Sequence, residues 1–243
     1  MIEISGLTKR YNSFIAVNNL NLKIRAGEVF GFLGVNGAGK TTTLRMLAGI
    51  LKPSAGSISI CNFDMASTPD KAKAITGFIP DRPHLYNKLT AREFLKFIGD
   101  LYKVPRNEIS TRSSALLEEY RLSEWENELT ESFSHGMKQR LATCAALIHN
   151  PKLLIVDEPM VGLDPHGAKL LKEAFRRYAK AGMTILLSTH SLNVAEEVSD
   201  TLAIINKGSL LATGDFHQIR EFAGAQEANL EQIFLELTSS SYQ

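Results

Sequence analysis

Gly34-Val35-Asn36-Gly37-Ala38-Gly39-Lys40-Thr41 decides the fold, with the apolar run Val29-Phe30-Gly31-Phe32-Leu33 feeding into it and a helix-forming run, Thr41 to Leu47, leaving it. The pattern G-x-x-x-x-G-K-[ST] between a buried strand and a helix is that of a phosphate-binding loop. Its glycines let successive backbone N–H groups turn inward toward phosphate oxygens, and the helix N-terminus adds its positive end. Lys40 reaches the terminal phosphates, the Thr41 hydroxyl holds a magnesium ion, and Thr42 carries the loop into the helix. Gly34, Val35, Asn36, Gly37, Ala38, Gly39, Lys40, Thr41 and Thr42 are thus candidate binding residues for a nucleoside triphosphate.

The 243 residues, 44% of them hydrophobic, suffice for one large domain carrying an insertion. With 27 Lys plus Arg against 26 Asp plus Glu, the formal net charge is +1, which leaves no nucleic-acid footprint by bulk electrostatics. Cys61 and Cys144 lie far apart without a C-x-x-C, so neither a zinc site nor a disulfide framework is indicated, and both read as inert core or near-core residues. The N-terminus lacks the layout of a signal peptide, and no apolar run approaches the ~18–20 residues of a membrane span. The expectation is a cytoplasmic chain whose role at a membrane comes through a partner.

Strands are read at Met1 to Leu7, at Leu20-Asn21-Leu22-Lys23-Ile24 from its period of two, at Ser57 to Ile60 and at Ile75 to Ile79. From about His84 to Glu131 the pattern turns helical. Thr90-Ala91-Arg92-Glu93 is a capping box. Phe94, Leu95, Ile98, Leu101 and Tyr102 then recur at helical spacing, and Leu116, Leu117 and Tyr120 point to a second helix. After Pro151 the α/β pattern returns: a buried strand Leu153 to Val156, a helix from about Ala168 to Ala181 ended by Gly182, and a strand Thr184 to Leu187. This alternation predicts a mostly parallel sheet covered on both faces. Leu230, Ile233, Phe234 and Leu237 line one face of a C-terminal helix, and Ser239 to Gln243 read as frayed.

Asp157-Glu158 ends the Leu153–Val156 run, at the strand edge where such sheets bind ligands. One carboxylate there suits magnesium, and the next suits orienting and deprotonating a water. His190, in Ser188-Thr189-His190, ends another apolar strand at the same edge. In Phe133-Ser134-His135-Gly136-Met137-Lys138-Gln139-Arg140, Ser134 is a good N-cap and Gly136 leaves backbone N–H groups approachable, a second anion-facing helix start.

On these motifs the chain resembles, from Ile2 to Thr238, the nucleotide-binding subunit of an ATP-binding-cassette transporter. The phosphate loop, Asp157-Glu158-Pro159, Gly162-Leu163-Asp164-Pro165, His190 and the signature Phe133-Ser134-His135-Gly136-Met137 fall in the family's order. The resemblance implies a RecA-like α/β P-loop core with an N-terminal antiparallel β-subdomain and an inserted helical subdomain. The core and β-subdomain take residues 1–83 and 132–220, the insertion 84–131, and a helical tail 221–243. It implies ATP and Mg2+ as ligands, Tyr11 stacked on adenine, and Glu158, His190 and Lys40 as catalytic groups. Ser134, Gly136 and Asp164 are implied to face nucleotide, and Thr41 and Asp157 to hold the metal. Ser134-His135-Gly136-Met137-Lys138-Gln139-Arg140 and the tail from Leu230 resemble the subgroup serving ABC-2-type exporters. Where the family has glutamine, this chain has Asp81; aspartate is shorter and anionic, able to ligate magnesium but repelling the γ-phosphate.

One phosphate loop and one signature per chain imply two cassettes, the same or paralogous, meeting head to tail, with a separate transmembrane permease as the partner. The family places that partner beside the Asp81 loop, where Pro83, Leu85 and Tyr86 lie. The rival class is a P-loop ATPase or regulatory switch not coupled to transport. A GTP switch needs an Asn-Lys-x-Asp reader, and Asn206-Lys207-Gly208-Ser209 lacks the aspartate. A repair ATPase would need a long coiled-coil insertion, and a translation ATPase two cassettes.

Overall fold

The computed structural model describes residues 1–160, 163–224 and 229–239. β1 (Ile2–Tyr11) and β2 (Phe14–Ile24) form an antiparallel hairpin, turned at Asn12 with a left-handed φ of 52°. β3 (Val29–Leu33) is buried at every position and delivers the chain to α1 (Lys40–Leu47). β4 (Ala55–Ile60), β5 (Phe63–Asp64), α2 (Pro69–Ala74) and β6 (Thr76–Ile79) follow. Next come α3 (Ala91–Leu101), α4 (Arg106–Glu119), α5 (His135–Leu147), β7 (Leu153–Asp157), α6 (Pro165–Lys180) and β8 (Thr184–Thr189). The described chain closes with α7 (Leu192–Val198), β9 (Thr201–Asn206), β10 (Ser209–Gly214), α8 (Phe216–Phe222) and α9 (Leu230–Ser239).

Two sheets result. The first, in order β2-β1-β4-β5, is antiparallel throughout. The second, β10-β9-β3-β8-β7-β6, is parallel except for β10, which pairs antiparallel with β9 at the edge. Leu44, Met46 and Leu47 of α1 are buried between the sheets, beside Ile4 and Ile58 of the first and Phe30 and Phe32 of the second. On the opposite face of the second sheet, Leu141 of α5 and Phe175 of α6 pack on Val156 and Leu187. The architecture is an α/β core with an antiparallel β-subdomain and helices inserted between β6 and α5.

The capping box forms: the Glu93 N–H donates to Thr90 Oγ1 at 3.2 Å, and the Thr90 N–H to Glu93 Oε2 at 2.9 Å. Several elements run past their sequence limits. β1 continues through Tyr11 because Tyr11 pairs with Phe14, and β2 begins at Phe14 rather than Leu20, bent at Asn19 (φ 48°). α6 starts at Pro165, capped by Asp164. Leu101 does not join the buried face of α3; it is 65% exposed, because the helix ends there and turns at Lys103 (φ 58°). Cys144 is fully buried, while Cys61 is half-buried. The apolar stripe of α9 packs on its own chain: Leu230, Ile233 and Phe234 are buried against Leu33, Leu202 and Ile204. α8 straddles the residue-220 boundary of the tail. Residues 240–243, read as frayed, and Gly162 of the Gly162–Pro165 motif lie outside the described residues.

Candidate active site

β3, β7 and β8 are neighbours in one sheet, so their carboxyl ends bring the phosphate loop, the acidic pair and His190 to one edge. Around the loop the glycines meet two different needs. At Gly39 (φ 104°) a Cβ would lie 2.4 Å from the Ala16 carbonyl oxygen, so backbone packs on backbone. At Gly37 (φ 81°) nothing lies within 4 Å, which leaves that side open to a ligand. Gly34 is buried under the loop and Val35 is exposed. The Lys40 ammonium is buried and donates to the carbonyls of Gly34 at 2.8 Å and Val35 at 3.3 Å. It also lies 3.6 Å from Glu158 Oε1. Burial pushes the Lys40 pKa below its ordinary value, with Glu158 and then Asp157 opposing that shift.

Asp157 is the last residue of β7 and is paired in register with Ser188 of β8. Ser188 Oγ donates to Asp157 Oδ1 at 2.5 Å. The next residue, Glu158, sits in the left-handed region (φ 49°), a strained place for a side chain that costs about 1–3 kcal/mol and clusters at functional sites. Its N–H donates to Ser188 O at 3.1 Å and lies 3.3 Å from Ser188 Oγ. One Glu158 oxygen faces Lys40 and the other lies 3.0 Å from His190 Nδ1. Burial raises the Asp157 pKa; the hydroxyls of Ser188 and Thr41 oppose this, and the charges of Asp81 and Glu158 add to it.

A cleft of about 350 Å³ joins Tyr11, Phe14 and Ala16 to Asn36, Gly37, Ala38, Gly39, Lys40, Thr41 and Thr42, with Asp81 and Glu158 at its far wall. Tyr11 is 45% exposed, outside the β-subdomain core, with Lys9 Nζ 5.2 Å from its ring centroid. Phe14, 62% exposed at the same mouth, went unread in the sequence. The turn residues Asn12-Ser13 carried the signal, since a hairpin there sets residues 11 and 14 opposite each other. Ser188 also went unassigned; its place level with Asp157 appears only once the strand register is known.

The remaining sequence candidates stand elsewhere. Ser134 caps α5, accepting from the Met137 N–H at 3.3 Å, with Gly136 in the helix's first turn. Neither lines the phosphate-loop cleft of its own chain, although His135 lines an adjoining cavity with Asp81, Arg82, Pro83 and Glu158. Asp164 caps α6 through the Gly167 N–H at 2.6 Å.

The donor set fits a magnesium ion. Asp157 is 1% exposed, and among the described residues its Oδ2 is buried without a hydrogen-bond donor, an anionic oxygen left open beside Thr41. Among the described residues no cluster of three His, Cys, Asp or Glu is placed to hold a metal alone. Magnesium sites need no such cluster, since the ion is generally bound through one or two carboxylates, waters and substrate phosphates.

A phosphate loop, an acidic pair and a serine-capped second helix start, on this two-sheet core, define an ATP-binding cassette. The ABC transporter family model matches residues 17–161. The chain is 37% identical over 219 residues to "Nod factor export ATP-binding protein I" of Ralstonia nicotianae, covering 90% of this chain and 68% of that protein. It is 33% identical over 238 residues to "ABC-type transporter ATP-binding protein EcsA" of Bacillus subtilis, covering 98% and 96%. Among solved structures, an ATP-binding subunit of an ABC transporter superposes with a TM-score of 0.92 at 33% identity, over 98% of this chain and 99% of that one. A dimeric cassette in a post-hydrolysis state with ADP and Pi superposes at 0.81 and 25% identity, over 88% and 98%. The chain belongs to the ABC transporter family, as its ATP-binding and ATP-hydrolysing subunit.

Proposed function

We propose that two copies of this cassette, or this cassette and a paralogue, close head to tail on Mg-ATP and drive a separate membrane permease of the exporter type. The observation that carries the arrangement is the place of Ser134 and Gly136, outside the cleft of their own phosphate loop. In a head-to-tail pair they meet the γ-phosphate held by the other copy. The chain then sits at the cytoplasmic face of the membrane, attached through the permease. The name of one relative, Nod factor export ATP-binding protein I, supports the exporter direction. We divide the chain as 1–83 with 132–220 for core and β-subdomain, 84–131 for the helical insertion and 221–243 for the tail.

Within the cleft, the loop from Gly34 to Thr42 cradles the phosphates, and Tyr11 stacks on the base. Thr41 and Asp157 hold Mg2+, which when bound neutralises charge on the phosphate oxygens. Lys40 turns from the Gly34 carbonyl to the β- and γ-phosphates. Glu158 takes the proton of the attacking water, and His190 holds its carboxylate and faces the γ-phosphate. Asp81 completes the metal side, and Asp164 positions α6 against the second copy. Loss of the γ-phosphate removes the shared contact and opens the pair, a ligand-driven switch a permease can follow.

Single cysteines at positions 36 and 134, in a chain with Cys61→Ser and Cys144→Ala, test the arrangement. An ATP-dependent disulfide between copies is the expected result; none, or one within a single chain, would overturn it. Copurification of a hydrophobic membrane subunit tests the transport assignment.

A further inference from the structure

Away from the nucleotide edge, the inserted helices enclose a second site. α3 and α4 pack tightly at Gly99, where an added Cβ would lie 3.0 Å from Ile109. Next to that contact is a cavity of about 280 Å³ lined by Arg92 and Lys96 of α3 and Arg106, Ile109, Ser110 and Ser113 of α4. Arg92 and Lys96 are one helical turn apart, and Arg106, Ser110 and Ser113 follow the helical repeat, so each helix presents one polar face. Arg92 is paired with Glu126 and Lys96 with Asp100 at 2.7 Å, both partly exposed pairs of the kind that yields readily to a better anion. Among the described residues no carboxylate lies within 4.0 Å of the Arg106 guanidinium, whose charge acts on Asp100, the partner of Lys96, from farther off.

Ser113 gives the cavity a purpose. It is 1% exposed, it lines the cavity, and among the described residues its hydroxyl has no hydrogen-bond partner. A serine inside a helix ordinarily satisfies itself on the carbonyl four residues back, here that of Ile109, and Ser113 makes no such bond. A buried hydroxyl left free disfavours the fold unless something completes it. Three cations, two hydroxyl donors and one buried apolar wall, Ile109, match a phosphate group carried on a short carbon body. The arginine and lysine stems extend the apolar wall.

We propose that the α3–α4 cavity is an organic-phosphate site, with Arg106 as its main charge and Ser113 as its buried donor. The phosphate comes either from a soluble phosphate ester or from a phospholipid headgroup. The site is independent of ATP hydrolysis and of the head-to-tail reading.

The test uses the full chain saturated with Mg-ADP, so that the phosphate loop is filled. The Ile109 methyl signal is followed by NMR during titration with glycerol 3-phosphate, and retention is measured on phosphatidylglycerol against phosphatidylcholine vesicles. A saturable Ile109 shift, weakened ~10-fold in Arg106→Ala and in Ser113→Ala, is the expected result for the soluble source. Retention on phosphatidylglycerol alone, lost in both variants, is the result for the lipid source. Ser113→Ala removes an unsatisfied hydroxyl, so its melting temperature should hold or rise, which separates lost binding from lost fold. Lys169→Ala, the same charge change on α6, should leave binding unaltered. Neither a shift nor retention, or equal effects in all three variants, would overturn the site.

Discussion

Ser188 Oγ lies 2.5 Å from Asp157 Oδ1 and 3.3 Å from the Glu158 backbone nitrogen, so one hydroxyl fixes both acids at the end of β7. Ser188 is fully buried, and among the described residues no donor bonds the other carboxylate oxygen, Asp157 Oδ2. Ser188→Ala should lower stability by about 1.5–3 kcal/mol, the range for a hydrogen bond to a charged group. It should also weaken Mg2+ dependence of nucleotide binding, because the Asp157 carboxylate loses its orientation. Urea unfolding and a Mg2+ titration of ATP affinity check this; a variant equal to wild type in both would remove Ser188 from the site.

Tyr11 and Phe14 face each other across the hairpin end at the mouth of the phosphate-loop cleft. Tyr11→Ala should weaken ATP binding by ~1–3 kcal/mol, with the fold intact because the ring is not in the core. Phe14→Ala should weaken it less. Since every base has a π-face, GTP should lose affinity in parallel. Equal ATP affinity in Tyr11→Ala, measured by calorimetry, would shift the base contact to Phe14.

Much of the site was legible because the loop and the acidic pair are contiguous in sequence and their chemistry is fixed by spacing. Tyr11 and His190 became candidates only through the family's order of motifs; Tyr11 lines the cleft, and His190 Nδ1 lies 3.0 Å from Glu158 Oε2. Phe14 and Ser188 were not, since each acquires its role from strand pairing, Tyr11 with Phe14 and Asp157 with Ser188, and pairing is a long-range fact. The edge strand β10 was hidden for a similar reason: Leu210 and Leu211 show no alternation, being half-buried on both faces. Leu101 misled because its helical spacing is right while the helix stops beneath it.

His149 stacks on Tyr102, with ring centroids 3.8 Å apart at 15°. Burial, helped by the nearby charge of Arg112, pushes its pKa from 6.5 down to about 4. Between those values the unfolded chain binds more protons than the folded one, so this contribution to stability is complete above pH 6.5 and is lost as pH falls toward 4. His149→Phe keeps a ring against Tyr102 and removes the titration. Its urea-unfolding free energy should therefore fall less than that of wild type between about pH 7 and pH 5. Identical pH slopes would contradict the buried neutral imidazole.

Ending the chain at Gly224 removes α9 and uncovers Leu33, Leu202 and Ile204. Burial of Leu230, Ile233 and Phe234 stabilises the chain by roughly 4–9 kcal/mol as an upper bound. The melting temperature should drop clearly, even for the monomer. A truncated monomer of unchanged stability that associates less without nucleotide would instead assign α9 to the second cassette.

Glu158→Gln tests the central claim most directly. Its carboxylate stands between Lys40 and His190 just past the end of β7, next to Asp157, the proposed metal ligand. The amide keeps the shape and loses the base. In the presence of Mg-ATP, turnover should fall by ~10²–10⁴ while ATP stays bound, and the chain should elute from size exclusion as a nucleotide-loaded dimer. Wild-type turnover, or an ATP-loaded variant that remains a monomer, would contradict the account.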